Sequence, residues 1–115
     1  METKNVVVDK SLDFAIRIIK FCELLDEKRK FVVAKQLLRS GTSIGANVFE
    51  AQHAESRLDF VHKMKIALKE ANETRYWLLV CERSETYPAD SSLKDLVDEL
   101  IRILSRIVIS GKKNY

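Results

Sequence analysis

The hydrophobic positions of the chain recur every three or four residues in four segments, the spacing of a helix with one buried side. The second segment covers residues 31–54, and one apolar line runs along it through Val33, Leu37, Gly41, Ile44, Val48 and Ala51. The fourth runs from Ser91 or Ser92 to Gly111, with the line Leu93, Val97, Leu100, Leu104 and Ile107. Both lines predict amphipathic helices, and the four-three alternation of the fourth is typical of a helix-bundle seam.

The first and third segments carry broader apolar lines. The first is predicted from Asp9 to Lys28, with Asp9 or Ser11 as N-cap. Its expected core line is Leu12, Ala15, Ile19 and Cys22, widened by Ile16, Ile18 and Leu25. The third follows the N-cap Ser56 and extends to about Glu85, with the expected line Phe60, Val61, Met64, Ala67, Leu68, Ala71 and Leu78.

Short connections between four helical segments predict an all-α protein, an antiparallel up-and-down four-helix bundle that forms one domain over residues 1–115. Residues 1–8, which include three consecutive valines, are predicted to be an extended N-terminal arm, and residues 111–115 a loose tail. Pro88 places a loop before the fourth helix, and Asp95 is expected to complete a capping box with Ser92.

Two glycines lie four residues apart in the stretch RSGTSIGANVFEA, residues 39–51. A phosphate-binding loop is excluded, because no lysine follows Gly45 and no strand precedes the stretch. The apolar line passes through Gly41 without a change of phase, so the stretch is predicted to be continuous helix. Each glycine costs about 1 kcal/mol in a helix interior. We therefore expect a neighbouring helix to approach closely at Gly41 and Gly45.

The composition agrees with a helical protein: 46% hydrophobic residues, one proline, three glycines and a net charge of +3. Four acidic residues precede a basic residue by four positions, the favourable order for an ion pair on one helix. The predicted pairs are Asp13–Arg17, Asp26–Lys30, Asp59–Lys63 and Asp98–Arg102. The modest net charge excludes the strongly basic class of nucleic-acid-binding domains, in which a concentrated patch is expected.

A second, partly apolar face runs along the third helix, away from its core line. It contains Ile66, Glu70, Glu73 and Trp77 at spacings of four, three and four. Apolar residues aligned with carboxylates predict a subunit interface, although scattered surface residues give the same pattern. The second helix carries a polar line of Ser43, Asn47 and Glu50, which either bond to a neighbouring helix or subunit or are ordinary surface residues.

Catalytic signals are weak. Cys22 and Cys81 are isolated and are expected to be reduced core thiols of a cytoplasmic protein, and no signal peptide or membrane-spanning run is present. Glu50-x-x-His53 and Asp59-x-x-His62 resemble the ligands of di-metal carboxylate bundles. We disfavour that alternative because both histidines lie off the core lines and both pairs lie at one end of the bundle. No metal, cofactor, catalytic residue or small-molecule substrate is predicted.

The stretch TSIGANVFEAQHAESRLDFVHKMKIALKEANETRYWLLV is similar to the signature of a known family of four-helix bundles. These proteins are encoded in intervening sequences of bacterial 23S ribosomal RNA genes. The matching positions are Ser43, Ile44, Asn47, Glu50, Ser56, Phe60, Ala67, Glu70, Ala71, Glu73, Tyr76, Trp77 and Leu78. One departure is Ala51, where many members carry glycine. The resemblance implies a ring-like homopentamer and kinship with accessory proteins of diversity-generating retroelements, which bind nucleic acid and a reverse transcriptase.

We therefore predict a non-enzymatic homo-oligomer that binds RNA or DNA, or a nucleic-acid-processing protein. A ring of five copies would multiply the small charge of each chain. The candidate nucleic-acid contacts are Lys28, Arg29, Lys30, Lys35, Arg39, Lys63, Lys65, Lys69, Arg102 and Arg106. The alternative is a protein-partner scaffold that binds no nucleic acid.

Overall fold

The structure, a computed structural model, describes residues 5–113 and the side chains of residues 5–111. Within this range the chain forms four α-helices and no strand: α1 Val6–Glu27, α2 Phe31–Ala51, α3 Arg57–Arg83 and α4 Ser91–Lys113. α2 packs between α1 and α3, and α4 packs against α3 and, less extensively, against α1. This cyclic order of neighbours, joined by short connections, makes a four-helix bundle.

The helix ends differ from the sequence predictions at several points. Val6–Val8 form the first turn of α1, because the Asn5 side chain accepts a hydrogen bond from the Val8 amide and caps the helix there. The extended arm is therefore wrong for residues 6–8; Asn5, the cap, is extended, and residues 1–4 lie outside the described range. α4 continues through Gly111 to Lys113, so the loose tail is wrong for residues 111–113, and residues 114–115 are not described.

The caps of α3 and α4 show one confirmed prediction and one correction. Ser56 caps α3, its hydroxyl accepting from the Asp59 amide at 3.0 Å. α4 is capped by Asp90 rather than by the predicted Ser92–Asp95 box. The Asp90 carboxylate accepts from the amides of Ser92 at 3.0 Å and Leu93 at 3.2 Å. Burial opposes the charge of Asp90, but these hydrogen bonds, together with one from the Ser92 hydroxyl, keep its pKa below its ordinary value.

The turn between α1 and α2 is a Schellman motif. The Lys30 amide donates to the Leu25 carbonyl at 2.8 Å, and the Arg29 amide donates to the Asp26 carbonyl at 2.9 Å. The motif requires a left-handed residue, usually glycine, and here Arg29 takes that place with φ of 63°. A Cβ in this conformation crowds the following carbonyl and costs about 1 kcal/mol.

We expect Arg29→Gly to raise the free energy of unfolding by up to about 1 kcal/mol, because glycine removes this crowding, although its unfolded chain has more entropy to lose. Urea denaturation measures the change. Lys28→Gly is the matched control. Lys28 has φ of -84°, so glycine there gains nothing and is expected to destabilise. A loss of stability in Arg29→Gly would show that the strain of the left-handed arginine is smaller than the entropy cost of glycine.

The core lines of α2, α3 and α4 follow the sequence predictions. All six predicted residues of α2 are buried, as are Val61, Met64, Ala67, Ala71 and Leu78 of α3 and Leu93, Val97, Leu100 and Leu104 of α4. The other three expected residues, Phe60, Leu68 and Ile107, are half-buried against the core, and Val108 takes the buried place expected for Ile107. The predicted line of α1 is partly wrong. Leu12, Ile16 and Ile19 are 48%, 58% and 43% exposed. The core side of α1 is instead built from Val7, Ser11, Phe14, Ile18, Phe21, Cys22 and Leu25.

α2 is unbroken through Gly41 and Gly45, and both glycines lie against α1. A Cβ added to Gly41 would lie 2.8 Å from Cγ2 of Ile18. A Cβ added to Gly45 would lie 3.2 Å from the backbone oxygen of Ser11. The predicted close approach is thus confirmed, and α1 is the neighbour that uses it.

Candidate nucleic-acid interface

Every ion pair between described residues joins two different elements of the bundle. The pairs are Lys10–Glu99, Arg17–Asp90, Arg39–Glu70, Arg39–Glu73, Lys63–Glu50 and Arg75–Asp98. The four pairs predicted along single helices are therefore wrong. Arg17, Lys63 and Asp98 find their partners on a neighbouring element, because packing brings those side chains together across the seams. Such half-exposed pairs contribute little stability each, but they decide which cations remain free.

Arg39 is the centre of the seam between α2 and α3. Its guanidinium contacts the carboxylate of Glu73 closely and that of Glu70 at 3.2 Å. Glu73 also accepts from the Trp77 indole at 3.0 Å. Hydrogen bonds from Arg39 and then from Trp77 lower the pKa of Glu73, so this carboxylate stays ionised at neutral pH. Arg39, a predicted nucleic-acid contact, is instead engaged inside the chain.

The predicted interface residues of α3 lie at or beside this same contact between α2 and α3. Glu70 and Glu73 have their partner in Arg39 of the same chain. Ile66 and Trp77 are half-buried, and Trp77 packs against the hydrophobic core of its own molecule. The carboxylates therefore need no second subunit to be satisfied.

The polar line of α2 also bonds within the chain. The Ser43 hydroxyl donates to the Arg39 carbonyl at 2.6 Å, and the Asn47 amide donates to the Ser43 carbonyl at 2.9 Å. Glu50 accepts from Lys63 of α3 at 3.0 Å. Of these three residues, Glu50 thus forms a contact between helices. Its partner Lys63, another predicted nucleic-acid contact, is paired within the chain.

Of the candidate cations near the turn between α1 and α2, one has partners within the chain and three are exposed. Lys30 lies over the ring of Tyr87, 4.9 Å from its centroid, and donates to Thr86 at 3.4 Å. Lys28 and Arg29 are exposed at the turn, and Lys35 is exposed on the first turns of α2. These three lie on the end and the α2 side of the bundle rather than on one continuous surface with the others.

The remaining four candidates lie on the exposed sides of the adjacent helices α3 and α4. We call Lys65, Lys69, Arg102 and Arg106 the basic face. The Arg75–Asp98 pair, at 2.7 Å, and the packing of Gly111 against Val61 fix the register of the two antiparallel helices. Between these two contacts, Arg102 and Arg106 of α4 lie at the same height along the bundle axis as Lys65 and Lys69 of α3. All four side chains are exposed.

The basic face keeps its positive charge because the nearby carboxylates are used elsewhere. Glu70 and Glu73 pair with Arg39 on the α2 side of α3. On α4, Asp98 pairs with Arg75, and Glu99 pairs with Lys10 of α1. Within residues 5–113, no cation of the basic face has a carboxylate partner. Arg102 is free because Arg75 takes Asp98, its expected partner.

The residues of the di-metal alternative hold structural positions. Glu50 binds Lys63, and Asp59 belongs to the cap of α3, its carboxylate accepting from the Glu55 amide at 3.3 Å. His53 and His62 are exposed. Among the described residues, no group of three or more histidine, cysteine, aspartate or glutamate side chains is placed to hold a metal.

The two cysteines are free and buried. Burial, with smaller contributions from Asp26 and Cys81, raises the pKa of Cys22 to about 12, and burial raises the pKa of Cys81 to about 11. Both thiols are therefore protonated at neutral pH and pack as small apolar groups.

A large apolar surface, absent from the sequence predictions, lies along α1 and α2. We call it the α1/α2 apolar face. Its members are Leu12, Ala15, Thr42, Ala46 and Phe49, which line one groove, and the exposed Ile16, Ile19 and Leu38 of the same two helices. Leu12 and Phe49 flank a groove of about 330 Å³ whose floor consists of small residues. The spacing of Leu12, Ile16 and Ile19 was visible in the sequence but was assigned to the core.

Comparison with known proteins identifies the family. In the described part of the chain no helix has the length and apolarity to cross a membrane. No curated protein matches the sequence. A solved structure from Bacteroides thetaiotaomicron, a protein of unknown function from the S23 ribosomal protein family, is 48% identical. The match covers 89% of this chain and 97% of that one, with a TM-score of 0.84. The family model of the 23S rRNA-intervening sequence protein matches residues 3–106, and the chain belongs to that family.

Proposed function

We propose that this protein is a non-catalytic, self-associating four-helix bundle that binds nucleic acid through the basic face of α3 and α4. One observation carries the nucleic-acid part. The cations of the seams are neutralised by carboxylates, whereas Lys65, Lys69, Arg102 and Arg106 are left exposed and unpaired on one surface. Clustered free cations are what a phosphate backbone requires.

The salt dependence of binding tests this function. We expect a fluorescently labelled oligonucleotide to bind at low salt. If all four cations contact phosphates of a single strand, the affinity falls about 50-fold between about 50 and about 200 mM salt. Fluorescence anisotropy measures the affinity, and the slope of its logarithm against that of the salt concentration counts the contacts. No binding at low salt rejects the function, as does tight binding that salt leaves unchanged.

A matched pair of variants locates the surface. Lys65→Gln/Lys69→Gln removes two positive charges from the basic face and is expected to lower the salt slope by about 1.4 for a single strand. Lys28→Gln/Lys35→Gln removes the same charge from exposed lysines elsewhere and is expected to change the slope little. Equal effects of the two variants would show that binding follows net charge and not the basic face.

The α1/α2 apolar face favours the self-association part. Monomeric proteins rarely leave so continuous an apolar surface in water. Small residues at Ala15 and Ala46 let the helices of a second copy approach closely. A ring-like homopentamer, as the family resemblance implies, would place several basic faces in one field and strengthen a weak single contact. The two buried, protonated thiols suit a reducing compartment such as the cytoplasm.

A further inference from the structure

An exposed aromatic ring continues the basic face along α3. Lys65, Lys69, Asn72 and Tyr76 follow one another at spacings of four, three and four, so they lie within about 60° of one another around the helix. Tyr76 is 58% exposed, and neither lysine of this line is paired among the described residues. The line extends over about 16 Å from Lys65 to Tyr76, the length of about five nucleotides at duplex spacing.

The ring of Tyr76 is held in place from one side. Its centroid lies 5.0 Å from that of Trp77, with the rings edge to face at 74°. Trp77 is in turn fixed by its hydrogen bond to Glu73 and by its packing on the core. Such support lowers the entropy that the ring loses when a ligand stacks on it. The exposed side of the ring is therefore a preorganised apolar surface at the end of a line of cations.

We propose that the basic face binds single-stranded nucleic acid, with an unpaired base stacked on Tyr76 and the phosphates on Lys65, Lys69 and Arg102. A ring offers stacking only to a base whose face is free, which excludes bases inside a duplex. Stacking tolerates every base, so the site discriminates strandedness rather than sequence. This inference rests on the proposed function, and it adds the class of ligand.

Two variants of Tyr76 test the inference. We expect Tyr76→Ala to weaken binding of a single strand of about 12 nucleotides roughly 5- to 100-fold, and Tyr76→Phe, which keeps the ring, to bind like the natural protein. Binding of the same sequence as a duplex is expected to be weaker and indifferent to Tyr76. Parallel strands of RNA and DNA determine whether the sugar matters. Circular dichroism checks the fold, which a substitution at an exposed position should preserve.

The single tryptophan of the chain gives a second readout. Because Trp77 contacts Tyr76, a base stacked on that ring should quench tryptophan emission, whereas a duplex held only by its phosphates should not. Unchanged emission at saturation by a single strand would overturn the inference.

The inference and the proposed function fail in different ways. If Tyr76→Ala binds single strands as well as the natural protein, or loses both forms equally, stacking is rejected. The function still stands in that case if Lys65→Gln/Lys69→Gln weakens binding. If no oligonucleotide of either form binds at low salt, both are rejected.

Discussion

Replacing Gly41 with valine is expected to lower the free energy of unfolding by about 3 kcal/mol, because the new side chain enters the contact between α1 and α2. A Cβ alone already lies 2.8 Å from Cγ2 of the fully buried Ile18. Helix propensity offsets little of this cost, since valine gains less than about 0.5 kcal/mol over glycine. Thermal unfolding should show the melting temperature falling by roughly 10–20 °C.

A double-mutant cycle shows whether this contact is the cause. Ile18→Ala alone removes buried carbons and is expected to cost about 2–5 kcal/mol. In the double variant with Gly41→Val, the valine methyls occupy the vacated space. The double variant should therefore lose at least about 1 kcal/mol less stability than the sum of the two single losses. Lys35→Val, at an exposed site of the same helix, controls for propensity and should cost about 0.4 kcal/mol. Additive losses at Gly41 and Ile18 would contradict the explanation.

The contrast between α1 and the other helices shows what periodicity can predict. In α2 and α4 one apolar line is clearly richer than any other, and every expected residue but Ile107 is buried. α1 has two lines: Leu12, Ile16 and Ile19 on one side, and Phe14, Ile18, Phe21 and Leu25 on another. Spacing alone cannot choose between them. The choice is made by shape, because Ser11 and Ile18 fit against Gly45 and Gly41, whereas Leu12 lies at an open groove beside α2.

The candidate site depended on contacts between helices, which local spacing does not encode. Pairing Asp98 with Arg102 was reasonable from one helix, but the register of α3 against α4 brings Arg75 to Asp98 and frees Arg102. Arg39 was predicted to bind nucleic acid, yet the carboxylates of α3 engage it. Tyr76 entered the sequence analysis only as a family-motif residue, although its helical spacing from Lys65 and Lys69 was a signal that could have placed it on the same line.

The sequence also could not predict the polar contacts that are buried between helices. Ser40 and Thr74 are both fully buried, and their hydroxyl oxygens lie 3.0 Å apart across the seam of α2 and α3. Each residue alone resembles an ordinary polar position of a helix. The Thr74 hydroxyl also lies 2.8 Å from the Glu70 carbonyl, and the Ser40 hydroxyl 3.5 Å from the Leu37 carbonyl. Each hydroxyl therefore has partners in its own helix and across the seam, so it is buried at little cost.

If the protein self-associates as we propose, two aspartates in the α1/α2 apolar face, Leu12→Asp/Ile19→Asp, are expected to convert that assembly into smaller species with unchanged helical content. Burying two carboxylates in an apolar contact should weaken association at least about a thousandfold. Both positions are exposed in the single molecule, so the fold itself should tolerate the change. Light scattering measures the mass, and circular dichroism the helicity.

The control Asn72→Asp/Ser110→Asp adds the same charge at exposed polar positions and should leave the assembly intact.

Trp77→Ala tests the competing interface on α3. The packing of Trp77 on its own core and its bond to Glu73 lead us to expect a less stable chain but an unchanged mass. Dissociation by Trp77→Ala and not by the aspartate pair would move the interface to α3. If the natural protein stays monomeric at every concentration, self-association is excluded. The α1/α2 apolar face would then bury no surface against a second copy, and burial is the force proposed to drive the assembly.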